Sequence, residues 1–325
     1  MSRAAPRTAP ALPTALALLT VYVVWGSTYL AIAYVVDTMP PFLSAGVRYL
    51  VAGAMMLAFL WLHGRFRRSA TDRERPTLAH WRSAAIIGTL LLLGGNGFVV
   101  LAEQPGLLTS GIAAVLVATV PIWLNLFDAV LDRRRPSALL VGGVVAGFGG
   151  VVILLIPSDG VADVNPFGVL LVLFATLSWA VGSLYQRRAD LPRSPWLGTG
   201  MEMVAGGGAL LLAATLTGEP VRTDVAAFST ESIVALAYLV VFGSLLGFSA
   251  YIWLLNNAPV STAATYAYVN PIVAVALGAW LRAEEITPRT LLAAVIIIGA
   301  VIAMVSGRPR QVDEAGPAPE AAGVD

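Results

Sequence analysis

Apolar residues run along this chain in long, nearly unbroken blocks, with charges, Pro and Gly gathered between them. A helix needs about 20 apolar residues to cross the hydrocarbon core of a bilayer. Stretches of that kind fall near residues 14–35, 41–62, 83–104, 109–130, 138–156, 166–185, 196–217, 232–254, 261–281 and 289–306. The pattern predicts an all-α integral membrane protein of ten transmembrane helices. Composition agrees, with 58% of residues hydrophobic and 12% charged, where soluble domains carry about a quarter charged residues. The lipid bilayer is thus the first expected partner.

Charge then sets the expected orientation. Every basic residue is an arginine, and sixteen of the 20 fall in the two tails and in the connections after the second, fourth and sixth spans. Short arginine-rich loops stay on the cytoplasmic side, so both termini are expected there, in a multi-pass protein of the cell inner membrane. The opposite connections are short or acidic, with Asp37, Glu219, Asp224, Glu231, Glu284 and Glu285 among them. Residues 1–13 read as a cytoplasmic tail, and 307–325, rich in Pro, Ala, Gly and acid, as a disordered one.

The chain lacks both cysteine and lysine. Disulfides, thiolate metal sites, Schiff-base lysines and P-loop lysines are all excluded. No His or carboxylate cluster has metal-ligand spacing, no cofactor is expected, and a net charge of +1 offers no footprint for nucleic acid.

Shifting the sequence by 150 residues lays spans three to five on spans eight to ten without a gap. Gly97-Phe98 falls on Gly247-Phe248, Ala113-Ala114 on Ala263-Ala264, Pro121-Ile122 on Pro271-Ile272, and Gly149 on Gly299. A nearby offset pairs Trp25 with Trp179, and Leu50 to Gly53 with Met203 to Gly206. Two repeats are expected, at 14–157 and 158–306. Each holds five spans, an odd number, so the second copy crosses the membrane in the opposite sense. Inverted repeats of this kind recur in transporters that place their substrate near the midplane between the halves.

Val24-Trp25-Gly26-Ser27-Thr28-Tyr29, the run opening at Arg48, Gly94-Gly95-Asn96-Gly97, Ser110 to Ala114, and Ser261 to Pro271 resemble the EamA branch of the drug/metabolite transporter (DMT) superfamily over residues 14–306. The resemblance implies a ten-helix inner-membrane carrier built from two EamA repeats that moves small metabolites, often outward, amino acids among them. Small multidrug-resistance relatives carry a glutamate in their first helix. This chain has Trp25, Gly26, Ser27 and Thr28 there, which disfavours proton-coupled export of lipophilic cations through that position.

Polar groups at membrane depth must meet a cavity or each other. The expected cavity set is Trp25, Ser27, Tyr29, Asn96, Trp179, Tyr251, Thr265, Tyr266, Tyr268 and Asn270. Aromatic rings there can stack on planar or apolar solutes while their polar tips orient them. Three ionisable groups lie near the core. Arg48 either pairs with Glu103 or binds a substrate carboxylate, and Glu202 either pairs with a cytoplasmic-side arginine or serves proton coupling. Pro121 and Pro271 each remove a backbone donor inside a span and are expected to kink helices at symmetric positions. Gly143, Gly147 and Gly150 allow close packing within the bundle, or a homodimer contact. The function expected is secondary transport that exports small amphiphilic metabolites such as amino acids by alternating access around a midplane cavity, driven by a gradient or by a proton or other ion, with a channel-like facilitator as the alternative. An integral-membrane enzyme is the remaining reading, and no cluster of acid, base and nucleophile supports it.

Overall fold

The computed structural model describes residues 11–66, 75–131, 138–156, 164–186, 188–258 and 265–306. The expected terminal tails, apart from residues 11–13, and Ser261 lie outside them. Six apolar helical stretches of 21 to 25 residues and four shorter ones, Ser110–Leu124, Val141–Leu155, Val269–Arg282 and Pro288–Ala303, supply the ten spans. In the first half these are α1 (Ala11–Val36), α2 (Pro41–Phe66), a third span built from α3 (Leu78–Gly88), π1 (Thr89–Gly97) and α4 (Phe98–Ala102), a fourth from α5 (Ser110–Val117) and α6 (Val120–Leu131), and α7 (Ala138–Leu155). The second half holds α8 (Pro166–Gln186), α9 (Pro195–Leu216), the short α10 (Glu219–Arg222), an eighth span from α11 (Thr230–Tyr238), π2 (Leu239–Leu246) and α12 (Gly247–Asn257), then α13 (Tyr266–Arg282) and α14 (Pro288–Ser306).

The direction of each span can be read from which residues touch. Along α2 and α9, Gly46 meets Leu211, Gly207 meets Leu50, Gly53 meets Val204 and Gly200 meets Leu57, so numbers rise on one helix as they fall on the other. The second and seventh spans, counterparts in the two repeats, are therefore antiparallel. Along α1 and α13, Tyr22 bonds Thr265, Gly26 meets Val273 and Tyr34 bonds Leu281, a parallel pair. Along α7 and α14, Gly150 meets Ile297 and Ile156 bonds Arg289, an antiparallel pair. Ten spans of alternating sense require each of these relations. The fold is two five-helix repeats threaded in opposite directions.

Helices in lipid gain little from burying apolar surface against each other, so close backbone approach carries the packing. A Cβ on Gly207 would stand 2.6 Å from the Leu50 nitrogen, and one on Gly88 would stand 2.7 Å from the Gly206 nitrogen. Gly147 and Gly150 likewise press on Ile122 and Ile297 inside the bundle. Apolar clusters result, two of them large. One joins Ile32, Tyr49, Ala52, Ile87, Met203 and Leu210, and the other joins Leu116, Leu154, Val172 and Ile297.

One expectation needs correction. The fourth span is not one kinked helix: Ala118 and Thr119 separate α5 from α6, and Pro121 is the second residue of the new helix. Proline disfavours helical backbone at the residue before it and cannot return a hydrogen bond to the turn behind. At the break the Thr119 amide and hydroxyl both donate to the Leu116 carbonyl, at 3.0 and 2.7 Å. Pro271, by contrast, lies within continuous α13. Spans three and eight depart from regular α geometry. Each contains a π-helical stretch at the same repeat position, since Thr89 falls on Leu239.

Candidate functional site

Each π segment hands a carbonyl to the first helix of the opposite repeat. The Ser178 hydroxyl of α8 donates to the Leu90 carbonyl at 2.7 Å, and the Trp25 indole of α1 donates to the Gly243 carbonyl at 3.2 Å. The glycines let this happen: a Cβ on Gly95 would strike the Trp179 ring, and one on Gly247 would strike the Trp25 ring. Wide π turns are frequent where a helix bends around a functional site. Between these two crossings lies a cavity with about 90 Å³ of room for water centres, enough for several waters or part of a small solute.

The wall comes from both repeats. Trp25, Thr28, Tyr29 and Ile32 present one face of α1, spaced by three, four and seven residues as a helix requires. Ala175, Thr176 and Trp179 do the same on α8, while Gly95, Asn96 and Val99 come from the third span and Tyr266, Ala267, Asn270 and Pro271 from α13. Among the described residues, Arg48 is the only charged one in the lining. Its side chain is 3% exposed, its Nε donates to the Ser244 hydroxyl at 3.0 Å, and its Nη1 has no protein partner. The Oδ1 atoms of Asn96 and Asn270 are also buried without a partner. Such atoms are costly to bury and suit a polar guest.

Of the expected cavity residues, Trp25, Tyr29, Asn96, Trp179, Tyr266 and Asn270 line it. Three stand behind the wall. Tyr251 packs its ring 5.0 Å from Trp25 and 5.7 Å from Tyr266. Thr265 Oγ1 lies 2.5 Å from the Tyr22 hydroxyl, and the Ser27 hydroxyl donates to the Val24 carbonyl at 2.8 Å with Tyr238 OH 2.6 Å away. The Tyr268 side chain lies outside the described residues. Arg48 and Glu103 do not pair, since both Glu103 oxygens and Arg48 Nη1 are unpartnered. Glu202 accepts from Gln186 at 3.4 Å and is absent from the cavity lining. Thr28, Tyr49, Gly95 and Thr176, which lie outside the expected set, also line it. Helical spacing from Trp25 and Trp179 points to Thr28 and Thr176.

The two ends of the bundle are fastened differently. At the arginine-poor end many bonds join one repeat to the other. Arg282 grips Asp37 through both guanidinium nitrogens at 2.7 and 3.1 Å. The Glu284 carboxylate accepts from the Ser110 and Gly111 amides at 3.1 Å and from the Ser110 hydroxyl at 2.7 Å, capping α5. Glu219 caps α2 in the same manner, through the Phe42 and Leu43 amides. At the other end, among the described residues, His80 lies 3.8 Å from Asp190.

Comparison with known proteins decides the family: residues 12–156 and 166–306 each match the EamA-like transporter family. The chain belongs to that family. The EamA-like chain is 39% identical over 297 residues to a protein of Escherichia coli K12 named as the uncharacterized inner membrane transporter YedA, covering 91% of this chain and 92% of that one. It is 26% identical to the uncharacterized transporter YoaV of Bacillus subtilis, over 87% of this chain and 93% of that one. It is also 24% identical to a chloroplastic WAT1-related protein of Arabidopsis thaliana, over 87% of this chain and 67% of that one. A solved crystal structure shares its fold with a TM-score of 0.60 at 19% identity, covering 91% of this chain and 97% of the other.

Proposed function

We propose that this EamA-like protein is a secondary carrier of the inner membrane that exports small amphiphilic metabolites such as amino acids, by alternating access around the cavity between its repeats. The observation that carries the reading is a cavity walled by both repeats in which Arg48, the one charged group among the described residues, holds Nη1 free. An unpaired buried guanidinium is expensive unless a guest completes it. A carboxylate does so with charge-assisted bonds. Rings of Trp25, Trp179, Tyr29 and Tyr266 would cover the apolar part of the same guest, and Asn96 and Asn270 would accept from its donors. The expected location near the midplane, the two cytoplasmic termini and the absence of an enzymatic role belong to the same reading.

Metabolite profiling of cells with and without the chain should name candidate substrates, and uptake into proteoliposomes should then test them. Preloading the vesicles with substrate should accelerate entry of labelled substrate, because a carrier returns faster loaded than empty. Flux that is indifferent to preloading would replace the carrier with a channel-like facilitator. Absence of any flux for every carboxylate-bearing candidate would remove the role given to Arg48.

A further inference from the structure

Glu103 closes the third span where it reaches the arginine-poor end. It is 4% exposed, and neither carboxyl oxygen has a partner. Its position is a partition between two spaces. Val99, one turn earlier, lines the central cavity, while Gln104 and Pro105, directly after it, line a second hollow of about 420 Å³ together with Asp37, Arg222 and Asp224. Three ionisable groups act on Glu103 electrostatically. They are Tyr29 of α1, which lines the cavity, Arg282 at the end of α13, and Glu284 in the connection that follows. Arg282 is committed to Asp37, and Glu284 spends its charge on the α5 amino terminus. No cation is therefore left over for Glu103 among the charged groups that act on it.

We propose that Glu103 is a proton-binding site whose occupancy controls the opening of this end. A buried carboxylate without a partner lacks the water that its charge needs. The end is shut around a neutral Glu103, with Glu284 fastening the second repeat to α5 of the first. When the end opens, water enters from the outer hollow, the Glu103 O–H bond breaks, and the proton passes to that water. The carboxylate left behind holds the end open until it is protonated again. The ligand of this site is a proton, and each cycle of opening releases one. This inference rests on the carrier reading, but its test needs no transported substrate.

The chain has no cysteine of its own, so two introduced cysteines can be labelled cleanly. Spin labels at Pro105→Cys and Glu285→Cys, on opposite sides of the Glu284 fastening, report the width of this end in full-length protein in proteoliposomes. The distance should be short at low pH and lengthen by several ångströms through one transition as pH rises. In the same protein carrying Glu103→Gln the short distance should persist at every pH. A Glu103→Gln chain that titrates like its parent, or a folded parent that ignores pH, overturns the proposal. So does a distance that follows sodium at constant pH and is blind to protons. Should Glu103→Gln fail to fold, Glu103→Asp decides: a shifted midpoint supports the site and an unmoved one sinks it. Failure here leaves metabolite flux untouched, whereas failure of flux leaves the titration intact.

Discussion

The two repeats use one backbone device and two sets of side chains. π1 and π2 occupy the same repeat position, and each gives a carbonyl to the opposite repeat's first helix. The donors differ, a serine hydroxyl at one crossing and an indole at the other. Around π2 the setting is cationic, with Arg48 on Ser244, while around π1 it is neutral, with Asn96 in the wall. The acids diverge further. By the 150-residue offset Glu103 falls on Trp253 and Glu284 on Arg134, so neither acid has an acidic counterpart in the other repeat. Duplication therefore supplies a symmetric frame, and divergence places a buried cation in the cavity and an unpartnered buried carboxylate at one end.

The symmetric frame should be the most fragile part. Gly207→Leu drives a side chain into the Leu50 backbone where α2 meets its own counterpart α9, and should cost about 3 kcal/mol or more. Gly208→Leu, where nothing lies within 4 Å, should cost little. Thermal unfolding in detergent separates the two, and equal losses would show that the repeats are not held at that contact. Next in size, Trp25→Ala removes the π2 clamp and three ring neighbours, Phe248, Tyr251 and Tyr266, at about 3 kcal/mol. Arg48→Met should sharpen the contrast in the opposite direction. Relieving a buried, half-satisfied cation leaves stability equal or higher, while transport of a carboxylate-bearing substrate falls at least about tenfold, or roughly 1.4 kcal/mol. Loss of both stability and transport would mean that Arg48 is structural.

Much of this frame is legible in the primary structure because its cause is simple. Hydrocarbon thickness dictates the length of the apolar blocks, arginine marks one face, and Gly and Pro recur at one offset because they shape backbone. The cavity wall follows from Trp25 and Trp179 by helical spacing. What stays hidden is phase. Within helices apolar on every side nothing marks where a π turn begins, so the departures at Thr89 and Leu239 leave no trace beyond nearby glycines. For the same reason the rotation of α2 is unreadable, and with it the fact that Arg48 reaches Ser244 while Glu103 is left alone. The break before Pro121 hides differently, because proline is compatible with both a kink and a restart.

Smaller effects test how evenly the crossings are clamped. Trp25→Phe keeps the ring and loses the donor, and Ser178→Ala loses its donor outright; each should cost about 1 kcal/mol. A wide gap between them would mean that the two π segments are not equivalent. The smallest effect is expected at Asp37. Its bond to Arg282 is bidentate and links the repeats, yet the two side chains are 37% and 26% exposed. Exposed pairs are screened and gain at most about 1 kcal/mol, so Asp37→Asn should lower stability by a few tenths and lose even that in high salt. Its value is diagnostic. If the arginine-poor end is governed by Glu103 and the Glu284 cap, the pH-dependent distance between labels at 105 and 285 should survive Asp37→Asn with its amplitude unchanged. A collapsed amplitude would move control of that end from Glu103 and Glu284 to the Asp37–Arg282 pair.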